Sequence, residues 1–240
     1  MCSSPSEKTV AVLQPGYLPW LGFFDQLARS DVFVVYDDVQ FDKHGWRNRN
    51  RIKSPAGRHW LTVPVLHTGK NFPSNHSVEI DHSQRWARKH VGSIRQFYSN
   101  APFLSRYLPE FEEILHRKWT LLIDLDLAVL AVLCSWLDLR TTVVRSSTLG
   151  IQGGQSERLL NHCLHFGARR YLSGTAARDY LLTPLFSQHG IEVIWQDYHH
   201  PVYPQLHGPF VSHLSTLDLL LNCGDQSRSI LLSHPDPAHQ

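Results

Sequence analysis

The sequence predicts an α/β protein: a mostly parallel, Rossmann-like sheet flanked by helices, with an inserted helical layer. Three observations lead there. Short β-branched or apolar runs alternate with helical patterns along most of the chain, and the hydrophobic period changes from two to nearly four over residues 84–138. A hydrophobic fraction of 42%, with 11% aromatic residues, is enough in 240 residues to bury a large core.

The elements follow in order. VAVLQP at 10–15 reads as a buried strand closed by Pro15, GYLPWLG as a loop, and FFDQLARS as a short amphipathic helix. DVFVVYDDVQF (31–41) is a second strand, RHWLTVPV (58–65) a third after the SPAG turn, and SVEID a small edge strand. Ala87, Val91, Ile94 and Tyr98 fall on one helical face, as do Leu104, Leu108, Phe111 and Leu115. With 119–138 these make consecutive helices. Strand patterns return at 141–147, 170–174 and 191–198, separated by helices over 156–166 and near 177–189, and a helix over 215–223 closes the series. One domain is expected over 9–226, with the helical insertion at about 84–138, a disordered tail at 1–8 and a tail at 227–240 that looks disordered from 233.

Bulk charge narrows the function classes. Lys and Arg number 23 against 21 Asp and Glu, a formal net charge of +2, so any anion site has to be local. MCSSPSEK carries no apolar secretory segment, and Leu121–Leu137 is interrupted by Asp124, Asp126 and Ser135, as in a buried core helix rather than a membrane span. Cys2, Cys134, Cys163 and Cys223 are scattered without CxxC spacing, which fits reduced thiols and a cytoplasmic location.

In parallel α/β sheets ligands gather at the carboxyl ends of strands. The polar clusters sit there: Gln14 after the first strand, Asp37, Asp38 and Gln40 late in the second, Arg145, Ser146 and Ser147 after TTVV, Ser173 and Gly174 after RYL, and Asp197 to His200 at the last strand end. Near them, WRNRNRIK (46–53) places Arg47, Arg49, Arg51 and Lys53 at every second position. If extended, the stretch shows four cations on one face, with Asn48, Asn50 and Ile52 on the other; if helical, it shows two adjacent rows. Either arrangement suits a phosphate or carboxylate, because a guanidinium fork matches both.

QPGYLPWLG, with Tyr17, has the glycines that let backbone approach a ligand but matches no phosphate-loop pattern. DYHHPVYPQLHG combines Asp197, His199, His200, Tyr203, Gln205 and His207, a set that suits a polar pocket better than zinc, because its histidine spacing is wrong for a metal. No metal site is expected, and no GxSxG nucleophile elbow is present.

Laid end to end, LQPGYLPWLGFFDQLARSDVFVVYDDVQF, WRNRNRIKSPAG, WLTVPV, VRSS, YLSG, ARDYL, QDYHHPVYPQ and LSTLDLLLNCG resemble the WbqC-like family. The resemblance covers about residues 10–224. It implies bacterial surface-polysaccharide biosynthesis of the O-antigen (lipopolysaccharide) type, and a transferase or ligase that joins a small amino acid such as glycine, or an acyl group, to an amino sugar. The alternative is a non-catalytic module binding a nucleotide sugar or RNA. The implied partners are a phosphorylated or nucleotide-linked sugar and a small amino acid; charged tRNA is the less favoured donor.

In that reading Arg47, Arg49 and Lys53 hold the anion, and Asp37, Asp38 or Asp197 bind the amine. His200 is the candidate base, with Asp38 and Asp197 as further catalytic candidates. Asn48 and Asn50 stabilise an oxyanion. Gln14, Tyr17, Gln40, Arg145, Ser146, Ser173, Gly174, Asp179, Tyr180, Tyr203 and Gln205 complete the substrate-binding set. The opening segment also looks like the nucleotidylyltransferase-type fold, which implies ATP with magnesium. Trp20 and Phe23 stand where that fold carries the two histidines that meet the phosphates.

Overall fold

The structure, a computed structural model, describes residues 7–42, 45–66 and 73–233. Cys2, most of the tail at 1–8 and the stretch 234–240 lie outside the described residues. Contacts cluster into two compact units where one domain is expected from sequence. The first comprises Met1–Gln14, Asp25–Asp37 and Arg140–Tyr198, and the second Pro15–Phe24, Asp38–Leu139 and His199–Gln240.

The first unit holds a five-stranded sheet of β1 (Thr9–Leu13), β2 (Val32–Val35), β5 (Thr142–Arg145), β6 (Arg170–Ser173) and β7 (Glu192–Trp195). The order is β5-β2-β1-β6-β7 and every pairing is parallel, with registers such as Val12↔Val34 and Leu172↔Ile194. β2 is buried along its whole length and β1 nearly so, as strands covered on both faces must be, and they read as continuous apolar runs. Edge strand β5 is the more exposed.

Helices α5 (Gln155–His165) and α6 (Thr183–Gln188) supply Leu159, Leu160, Cys163 and Phe186 to a core with Val10, Val12, Val34 and Tyr171. The Tyr171 and Phe186 rings stack 5.1 Å apart. The helix expected near 177–189 is a 3₁₀ turn at Thr175–Asp179 followed by α6, whose start is set by Pro184.

The second unit contains a hairpin of β3 (Arg49–Ser54) and β4 (Gly57–Thr62), antiparallel and separate from the main sheet. RHWLTVPV thus joins its chain neighbour rather than the parallel sheet. The turn needs Gly57, whose φ is +98°. Helices α2 (Trp86–Phe97), α3 (Leu104–His116) and α4 (Leu122–Trp136) form the inserted layer, and α7 (Thr216–Cys223) packs with it. Residues 227–231, placed in the tail by the sequence reading, form the short helix α8 (Ser227–Leu231). SVEID contributes only isolated bridges, Val65↔Ile80 and Glu79↔Leu121. Helix α1 (Leu21–Ala28) contains the unit boundary at Phe24 and Asp25. No helix among the described residues is long and apolar enough to cross a membrane.

Candidate functional site

In the first unit the strand order reverses direction between β1 and β6. Parallel strands bring Gln14, Asp37, Arg145, Ser146, Ser173, Gly174 and Asp197 to one edge of the sheet. Asp37 is fully buried, and its carboxylate accepts from Arg145 Nε at 2.8 Å, Ser146 Oγ at 3.1 Å, Ser147 N at 2.9 Å and Ser147 Oγ at 2.8 Å. Burial alone would raise its pKa. The Ser147 amide and hydroxyl, with the Arg145 guanidinium, outweigh it and hold the carboxyl below the usual range. Asp37, Arg145 and Ser146 therefore clasp one another between the ends of β2 and β5.

Beside the reversal point a second network runs through residues that the sequence reading missed. Gln26 Nε2 donates to Gln196 Oε1 at 2.5 Å, and Gln196 Nε2 donates to Asp25 Oδ2 at 2.6 Å. All three side chains are buried, and Gln26 Oε1 has no partner among the described residues. A Cβ at Gly174 would lie 3.3 Å from Gln26 Nε2, so glycine keeps this strand end open. Ser173 is buried at the end of β6, while Asp179, Tyr180 and Asp197 are exposed and Gln14 is half-buried. The buried pair Asp25 and Gln26 among apolar α1 residues is the signal that could have pointed here.

In the second unit, β-alternation splits WRNRNRIK. Arg49 and Arg51 turn outward, while Asn50 and Ile52 turn inward and are buried. Arg47 precedes the strand and donates through Nη1 to the Pro15 carbonyl at 2.6 Å. Burial lowers its pKa, against the opposing pull of Asp126 and Asp42. Asn48 donates to the Val63 carbonyl at 2.8 Å and Asn50 to the Leu18 carbonyl at 2.6 Å. Lys53 is 1% exposed and donates to the Pro209 carbonyl at 2.7 Å. The four cations do not share a face: Arg49 and Arg51 carry the outward charge, while Arg47, Asn48, Asn50 and Lys53 brace the surrounding loops.

Asp218, on the first turn of α7, collects several residues of the histidine-rich loop. Its carboxylate accepts from Tyr98 at 2.5 Å, Tyr203 at 2.9 Å and Gln205 Nε2 at 2.8 Å. Burial raises its pKa, against those three donors and Lys53. His200 sits against Tyr203, Phe210 and His213, with Nδ1 2.9 Å from the Pro201 carbonyl. Tyr17 is buried with its hydroxyl 3.0 Å from His90 Nδ1, and His90 Nε2 lies 3.2 Å from the Thr62 carbonyl. Burial pushes the His90 pKa down to about 4, so the ring is neutral: Nε2–H donates to Thr62 and Nδ1 accepts from Tyr17. Asp38 is half-buried and Gln40 exposed, the latter bridged to Ser74.

Among the described residues, no group of three His, Cys, Asp or Glu side chains is placed to hold a metal ion. Cys134, Cys163 and Cys223 are free thiols, pushed up by burial to about 12, 12 and 11.

A family model described as the WbqC-like protein family matches residues 14–230. The chain belongs to this family. As a WbqC-like protein it is similar to an uncharacterized protein of Mycobacterium tuberculosis, with 37% identity over 226 residues covering 93% of this chain and 97% of the relative. No solved structure matches the chain significantly.

Proposed function

We propose that this WbqC-like protein is a transferase or ligase of bacterial surface-polysaccharide biosynthesis, joining a small amino acid such as glycine, or an acyl group, to a nucleotide-linked amino sugar. The observation that carries the reading is the reversal of strand order between β1 and β6, with Gln14, Ser173 and Gly174 at those two strand ends. Open parallel sheets receive nucleotide-type ligands in the crevice at such a point. The bare backbone at Gly174 lets a ligand approach closely, and the buried Gln26 carbonyl oxygen supplies an unused acceptor beside it. Amide formation requires the sugar amine to attack an activated carbonyl while a base takes its proton. Asp197, exposed beyond the end of β7, is the candidate base.

The test combines binding with product detection. A hundredfold excess of the correct nucleotide-linked amino sugar over its Kd should raise the melting temperature by roughly 5–10 °C. Incubation with glycine, with and without ATP, should give an amide product by mass spectrometry. Gly174→Val, which fills the strand end, should remove the stabilisation while the apo protein still melts cooperatively. Unchanged melting with every nucleotide sugar, and no amide product, would overturn the reading.

A further inference from the structure

The outward face of the β3–β4 hairpin has no part in that reading, and its composition is unusual for a surface with only structural duties. Trp46 and Trp60 are 42% and 44% exposed, and their rings lie 5.2 Å apart at 30°. The Arg49 guanidinium sits 4.7 Å over Trp60, and Arg51 sits 4.9 Å over Trp46 and 5.4 Å over Trp60. Arg51 also donates through Nη2 to the His213 carbonyl at 3.2 Å. The His213 ring in turn stacks on Trp20 at 5.1 Å and 21°. His213 holds a φ of +59°, a backbone conformation that costs a non-glycine residue about 1 kcal/mol.

Two further features concern Arg51 and Arg58 on this face. Arg58 is exposed on the same hairpin, and it repels both Arg51 and His213, depressing the pKa of each beyond the effect of burial. Among the described residues neither Arg51 nor Arg58 has a carboxylate partner, and Arg51 Nε is buried with no acceptor. Like charges packed together in this way favour an arriving anion. The exposed indoles add flat apolar surface that water solvates poorly. The groups alternate as ring pair, cation, ring pair, cation: Trp20 and His213, then Arg51, then Trp46 and Trp60, then Arg49. A polynucleotide strand alternates bases and phosphates in the same sense.

We infer that this face, centred on Trp46, Trp60, Arg49 and Arg51, binds a short single-stranded nucleic acid. Bases stack on the indoles and the imidazole, and the guanidinium edges meet the intervening phosphates. The second ring platform beyond Arg51 selects a strand over a mononucleotide, which would use one platform only. With the chain as a whole nearly neutral, the footprint is small, about two or three phosphates. The contacts involve bases and phosphates rather than the 2′-hydroxyl, so RNA and DNA strands of one length should bind within about threefold of each other.

The test uses the full chain and labelled oligouridylate and oligothymidylate of about five nucleotides. Fluorescence anisotropy should show binding, accompanied by quenching of tryptophan emission, with a slope of log K against log salt of about −2. Trp60→Ala and Arg51→Ala should each weaken binding about tenfold or more. Arg51→Lys, which keeps the charge and loses the flat stack, should fall between Arg51→Ala and the native chain. Both sites lie on the outward hairpin face, and a thermal melt of each variant verifies folding.

No quenching by either oligonucleotide would overturn the inference, as would undiminished affinity in folded Trp60→Ala and Arg51→Ala. A uridine mononucleotide binding as tightly as the strand would also overturn it, in favour of a mononucleotide site. Melting-temperature shifts with nucleotide-linked sugars, measured on Trp60→Ala, keep the two readings apart: their survival there supports the strand-end reading whatever the hairpin face binds.

Discussion

Asp218 and His90 show how much a single buried polar residue can organise. Asp218 ties Tyr98, Tyr203 and Gln205, residues far apart in sequence, to one carboxylate. No local pattern marks it, because an aspartate in the first turn of a helix is ordinarily a solvated favourable charge. His90 makes a testable pH statement. Its folded pKa lies near 4, below the ordinary 6.5, so the unfolded chain takes up a proton that the folded chain refuses. Stability is therefore complete above pH 6.5 and falls as pH drops toward 4, by at most about 3 kcal/mol from this group. Denaturant unfolding at pH 7 and pH 4.5 should show the loss, and His90→Gln should reduce the difference between the two. An equal difference in both proteins would place the pH dependence elsewhere.

The β3–β4 hairpin divides its charged residues between an outward face and the interior. Two-residue periodicity made the cation stripe in WRNRNRIK visible in the sequence, but the pattern alone could not say where the strand began. It begins at Arg49, so Arg47 falls outside it, and Lys53 is drawn under the 199–213 loop by carbonyls that lie 155 and 156 residues away. The turn provides a clean backbone test. Gly57 has φ +98°, and a Cβ built there meets nothing within 4 Å. Gly57→Ala should therefore cost about 1 kcal/mol through backbone strain alone, with no packing contribution. Urea unfolding measures it, and a neutral substitution would mean that the turn adapts freely. The central strands of the main sheet were legible for the opposite reason: parallel strands buried on both faces are continuous apolar runs, and β1 and β2 lie where those runs are.

For the whole molecule, the chain passes repeatedly between two units: stretches 15–24, 38–139 and 199–240 belong to one and the remaining stretches to the other. The segments of the two units interleave along the chain, so no single linker in the sequence marks a boundary between them. The free thiols allow a global check. With Cys2→Ser in place, Cys134, Cys163 and Cys223 remain, each held protonated well above neutral pH by burial. Ellman's reagent at pH 8 should label the folded protein at least about tenfold more slowly than the urea-unfolded chain. Rapid stoichiometric labelling of the folded protein would mean that these helices open readily.

The α/β class, the helical insertion and the family were legible in the amino-acid sequence. These follow from hydrophobic period, chain direction and ordered motifs, all of which are local or linear properties. Which polar residues meet depends on how the chain packs in three dimensions. That packing saturated Asp37 with Arg145 and two serines, spent Lys53 and both asparagines on backbone carbonyls, and joined Gln26 to Gln196. It also left Trp46, Trp60, Arg49 and Arg51 outward on one face. A buried polar group must find its partner wherever the fold supplies one, and that partner is usually distant in sequence.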